Sequence, residues 1–239
     1  MESEKKQKIS GLSYNIISYD PRNRGLRNLG LVEITQKVVA DFLELVGVDA
    51  SVQCLECSGR DELVSEWKTL EGRWRRNDNG AFAGQLLVLE NKVTSEIQSS
   101  KIRKAILVTS MNIGEIIGAF YNNRIAIISS QKIEHNPERF ATAVFHELGH
   151  MHGAPSTERK KVDRKVNNDF QIVELEKEMQ GTNAIYESLG EHCLNLGCSM
   201  RQRLCFADWS LTKERLQTGR PYCDKCLDDL KDFFRKNPD

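Results

Sequence analysis

The stretch FHELGHMHG, residues 145–153, constrains this chain more than any other. His146 and His150 stand four residues apart in a segment with strong helix signals. On a helix, that spacing puts both imidazoles on one face, one turn apart, as two ligands of a tetrahedral zinc require. Glu147 sits beside them and can reach a metal-activated water as general base. Gly149 leaves room for close approach to neighbouring backbone. Asn136 supplies an N-cap, Pro137 suits the first helical position, and Gly153 can end the helix in a left-handed conformation.

Two histidines leave a zinc site open. Five histidines are present, at 135, 146, 150, 152 and 192. His152 follows His150 by two residues, about 200° around a helix, and so points away from the metal. His135 precedes the helix at its far end. His192 remains, as do the carboxylates Glu174, Glu178, Glu187 and Glu191.

Seven cysteines complete the chemistry, at 54, 57, 193, 198, 205, 223 and 226. In a reducing compartment, spaced cysteines read as metal ligands before disulfides. Cys193 and Cys198 with the knuckle Cys223-Asp224-Lys225-Cys226 offer four thiolates to a structural zinc. Cys54 and Cys57 form another CxxC, read as ordinary thiols at a strand end, with an exchange for Cys193 and Cys198 as the alternative. Cys205 reads as a small buried hydrophobe.

Apolar periodicity orders the rest. Residues 31–47 carry a helical stripe of Val32, Val38, Val39, Phe42, Leu43 and Val46. Residues 49–56 alternate as a strand. Residues 61–74 and 81–97 read as helices around the turn 76–80. KAILVTS (104–110) and RIAIISS (124–130) read as strands buried on both faces, and the segment between them, with Gly114, Gly118 and Tyr121, can hold an edge strand. Residues 1–28, rich in charge and turn formers, read as a loose start. The order implies an α/β domain with a mixed, twisted sheet packed on helices.

Lys+Arg and Asp+Glu both number 34, so the basic excess of a nucleic-acid binder is missing. No apolar run suits a signal peptide or a bilayer span, and a cytoplasmic location without membrane contact is expected.

The combined pattern HELGHMHG, then HC, four residues, Cys198, one residue, Met200, a spacer and CDKC resembles the archaemetzincins, a metzincin branch of the zinc metallopeptidases. The resemblance covers about residues 104–226. It implies a zincin-like fold with a small cysteine-rich C-terminal subdomain. It also implies two zinc ions, one catalytic and one structural. His146, His150 and His192 would hold the catalytic zinc, with Glu147 as general base. Cys193, Cys198, Cys223 and Cys226 would hold the structural one. Gly153 would turn the chain under the metal, and Met200 would form its apolar floor. The implied substrate is a peptide or protein, and the expected state is a monomer.

The chain departs from that family at Ser156, where the family carries its third histidine. The economical reading is an insertion. It divides the chain into residues 1–153, an α/β subdomain ending in the active-site helix; 154–191, a charged helical insertion; and 192–239, the Met-turn and structural-zinc subdomain. Closing a longer loop costs only ~0.6 kcal/mol per doubling of its length, so His192 can occupy the place that Ser156 vacates. Two further readings stand beside this one. The first is a peptidase completed by a glutamate on the 168–180 segment, Glu174 above all. The second is a zinc-stabilised interaction module with a weak or inactive site, in which the charged insertion binds a partner. Trp67, Arg73 and Trp74 near RWRRNDNG read as packed aromatics with solvated charges, with a binding surface as the alternative.

Overall fold

The computed structural model describes residues 7–19, 30–56, 104–109, 118–121, 125–130, 136–156, 192, 193, 195, 197–201 and 209–237. Their elements are β1 (Gln7–Tyr19), α1 (Leu31–Val46), β2 (Val48–Glu56), β3 (Lys104–Thr109), β4 (Gly118–Tyr121), β5 (Ile125–Ser129), α2 (Pro137–Met151), α3 (Trp209–Gln217) and α4 (Asp224–Lys236). The expected helices over 61–74 and 81–97, the charged insertion beyond Ser156, Cys57, Cys205 and Glu174 lie outside the described residues.

Five strands form one sheet in the order β2-β1-β3-β5-β4. The first four run parallel, and β4 pairs antiparallel with β5 at the edge. This is the mixed α/β sheet that the apolar runs imply, with the edge strand where Gly118 and Tyr121 suggested it. Every residue of β5, and all of β3 after Lys104, is buried. Such continuous Val/Ile/Leu runs suit strands covered on both faces.

The loose start expected over residues 1–28 is a correction. Residues 7–19 form β1, which lies inside the sheet between β2 and β3. Leu12, Tyr14 and Ile16 alternate into the core, and Asn15 and Ile17 are buried on the opposite side. The charged flanks hid this alternation, whose period of two is the strand signal.

α1 links the parallel neighbours β1 and β2, the crossover that parallel pairing demands. It buries Leu31, Thr35, Val38, Val39, Phe42, Leu43 and Val46, while the expected inward Val32 is only partly buried. Gly47 then turns the chain directly into β2 at φ 71°. α2 begins as its sequence dictates. The Asn136 side chain accepts hydrogen bonds from the Glu138 and Arg139 amides, both at 3.0 Å, with Pro137 in the first turn. Its apolar face (Phe140, Val144, Phe145, Leu148 and Met151) joins one core with α1, the sheet and α4. No described helix is long and apolar enough to cross a membrane.

One buried polar contact fastens the end of α2 to the sheet. His152 donates from Nδ1 to the Leu148 carbonyl at 2.8 Å, so Nε2 accepts from the Tyr14 hydroxyl at 2.7 Å. Phe42 of α1 and Phe234 of α4 flank the ring at centroid distances of 5.1 and 4.9 Å. Burial, then the Lys104 charge, holds His152 well below the ordinary histidine range, and burial pushes Tyr14 up. Tyr14→Phe would leave the buried Nε2 without its donor. Urea unfolding should show a loss of about 1–3 kcal/mol, and an unchanged midpoint would contradict this role.

Candidate metal centres

α2 presents His146 and His150 one turn apart, with their Nε2 atoms 3.1 Å from each other. The His192 Nε2 lies 3.3 Å from that of His150. A tetrahedral zinc with Zn–N of ~2.05 Å spaces its nitrogen ligands by ~3.3 Å. Both separations from His150 are therefore already close to the edge lengths that such an ion imposes, and all three ligand atoms lie within 4.8 Å of one another. His146 donates from Nδ1 to the Ser199 carbonyl at 2.6 Å, which turns the Nε2 lone pair toward the other two rings. Burial, then the neighbouring His192, holds its pKa down to about 3 against the opposing pull of the Ser199 carbonyl. The ring is neutral at neutral pH, the form a metal needs. His152, by contrast, points into the core, as its position on the helix requires.

The chain leaves the described residues at Ser156, whose amide donates to Asp229 of α4 at 3.1 Å. It re-enters at His192, beside His150. Gly153 turns the chain at φ 75°, with the Phe233 ring 3.1 Å from where a Cβ would stand.

Glu147 is buried, and burial pushes its carboxyl up to about 8. Its carboxylate lies against Gly118 of the edge strand: a Cβ at 118 would stand 2.5 Å from Glu147 Oε1. Two residues on, Phe120 stacks on His150, with centroids 4.8 Å apart and planes 14° apart. β4 thus supports both the acid and a histidine. Nothing in the sequence pointed to Gly118 or Phe120 in these roles, since both depend on how β4 meets α2.

Cys193, Cys198, Cys223 and Cys226 form a second, buried cluster. Cys193 and Cys223 sulfurs are 3.7 Å apart. A disulfide would need ~2.05 Å, whereas a tetrahedral zinc with Zn–S of ~2.3 Å separates its sulfurs by ~3.8 Å. Backbone amides already point at sulfur: Cys223 N to Cys198 Sγ at 3.3 Å and Asn195 N to Cys193 Sγ at 3.4 Å. Hydrogen bonds from Cys193, then Cys198 and Cys226, hold the Cys223 thiol far below the ordinary thiol range. Cys54 is exposed on β2, outside this cluster, so the considered exchange of partners does not describe the fold.

The close neighbour of Gly149 is a side chain, Met200, where the sequence suggested backbone. A Cβ at 149 would fall 2.0 Å from the Met200 sulfur, and Met200 is fully buried. The Met200 side chain therefore packs onto α2 beside His150. The Ser199 carbonyl on His146 and the Tyr222 hydroxyl, which donates to Phe145 O at 2.5 Å, escaped the sequence reading altogether. Backbone acceptors and a lone tyrosine leave no spacing signature.

No protein-family model matches the chain, and no curated protein matches it. Among solved structures, the archaemetzincin from Methanopyrus kandleri is similar at 15% identity, over 94% of this chain and 96% of that one, with a TM-score of 0.43. At that level the likeness carries no weight, and the case for the site rests on its own atoms.

Gly149→Ala forces Met200 out of its seat. Overpacking of this kind costs about 1–3 kcal/mol. Thermal unfolding should show that loss together with weakened metal retention, and an alanine variant matching the parent in both would contradict the packing described.

Proposed function

We propose that this chain is a zinc metallopeptidase. His146, His150 and His192 hold the catalytic metal, and Glu147 is the general base. The observation that supports this best is the convergence of three imidazole nitrogens within 4.8 Å of one another, two of the separations at tetrahedral spacing, with the buried carboxyl of Glu147 beside His146. Cys193, Cys198, Cys223 and Cys226 hold a second zinc that is structural: four sulfur ligands leave no position open to substrate. Met200 and Gly153 support the catalytic centre from below, as in the archaemetzincins that the sequence resembles.

A zinc ion bound by the three histidines supplies Lewis acidity, which polarises a peptide carbonyl and acidifies water. The protein's own groups do the rest. Ser199 fixes the His146 ring in the tautomer with Nε2 free. Burial keeps Glu147 largely protonated at neutral pH until a cation beside it favours the carboxylate; that carboxylate would take a proton from the attacking water and pass it to the leaving amine. Gly118 gives that carboxylate its space, and Phe120 braces His150. Among the described residues, β4 pairs with a strand on one side only. An extended peptide laid along its other side would be held by main-chain hydrogen bonds, next to Glu147.

Glu147→Gln keeps shape and metal ligands while removing the base. Peptide hydrolysis should fall by about 10²–10⁴-fold, with zinc content unchanged. Full activity in the glutamine variant, or activity that survives exhaustive chelation in the parent, would overturn the reading.

A further inference from the structure

The two cysteine pairs and the histidine centre share their supporting segments residue by residue. His192 and Cys193 are adjacent, one in each cluster. Three consecutive residues then serve three targets. Cys198 belongs to the sulfur cluster, the Ser199 carbonyl orients His146, and Met200 packs on Gly149. The segment closes on itself where the Cys193 amide donates to the Met200 carbonyl at 2.8 Å. It is pinned to the second cysteine pair where the Ser199 amide donates to Pro221 O at 2.9 Å. Tyr222, the residue before Cys223, reaches Phe145 O, the residue before His146. The contacts from this region onto the histidine-bearing part of α2, at Phe145, His146 and Gly149, therefore start within two residues of a sulfur ligand, whereas α3 meets the first turn, through Lys213 on Glu138 and Trp209 on Arg139.

We propose that the four-cysteine centre is a positioning element for the histidine centre, so that filling it with metal tightens metal binding by His146, His150 and His192. The inference rests on reading the histidine triad as a metal site. An ion bound to four thiolates fixes both ends of the 193–226 segment. With that segment fixed, His192 and the Ser199 carbonyl are in place before the second ion arrives, and binding no longer has to order them. Disturbing the outer partners of ligating histidines typically costs 10–100-fold in metal affinity, and coupling of at least about tenfold is expected here on the same grounds. Binding linkage is reciprocal, so occupancy of the histidine centre tightens the cysteine centre by the same factor.

The test uses the full chain, freed of metal. Cadmium, which prefers thiolates, fills the cysteine centre in one sample, and in the other Cys223→Ser with Cys226→Ser removes two of its four ligands. Cobalt is then titrated into both, and the part of its visible absorption that His146→Ala abolishes reports the histidine centre. Cobalt affinity about tenfold or more higher in the cadmium-loaded sample is the expected result, and affinities within about twofold overturn the coupling while leaving the triad a metal site. If neither sample gives a cobalt spectrum that His146→Ala abolishes, the triad is no metal centre, and both the coupling and the peptidase reading fall. A second variant avoids metal removal. Tyr222→Phe cuts one strut and keeps all seven ligands. With the cysteine centre still filled, it should surrender the histidine-bound metal to a chelator at least about threefold faster, and an unchanged rate overturns the coupling.

Discussion

Three imidazole nitrogens converge on one point, the Nε2 atoms of His146 and His192 standing 3.1 and 3.3 Å from that of His150. One proton on His150 Nε2 cannot serve both neighbours. A cation at that point resolves the conflict by accepting all three lone pairs. The arrangement exists because separate parts of the fold force it. α2 supplies two rings by its pitch, and the Ser199 carbonyl locks the orientation of the first. His192 completes the set from a part of the chain more than forty positions on.

That convergence depends on close packing more than on the helix alone. α2 is approached on both sides by groups that glycine admits. Gly149 admits the Met200 sulfur, and Gly118 admits the Glu147 carboxylate. Beyond its last turn, His152 and Tyr14 tie the chain to the centre of the sheet, amid rings from α1 and α4. The residues after His150 therefore form a rigid exit. Neither the histidine face nor the carboxylate has much freedom to drift, and geometry held that tightly is what a catalytic centre needs.

Much of this was legible in the sequence, for identifiable reasons. Helical pitch put His146 and His150 together and turned His152 away. Cap chemistry at Asn136 and Pro137 fixed where α2 starts. Unbroken apolar runs marked β3 and β5. Strand β1 was not legible, because charged flanks masked the alternation of Leu12, Tyr14 and Ile16, and its place inside the sheet follows only from pairing with β2 and β3. Gly118, Phe120, Ser199 and Tyr222 were illegible for another reason. Each acts through a contact between segments distant in sequence, and in three of the four the chemistry lies in a backbone group or a missing Cβ. The third histidine stood between these cases. Counting histidines left His192 alongside four carboxylates, and only the folded chain sets its ring beside His150.

We infer that one chain builds two metal centres of different chemistry from interleaved residues. X-ray absorption at the zinc edge of the purified full chain distinguishes them. Two zinc ions per chain are expected. One sits in a shell of imidazole nitrogens at ~2.0 Å and the other in four sulfurs at ~2.3 Å, and His192→Ala depletes the nitrogen shell. A single zinc per chain with a shell of sulfur alone would contradict it.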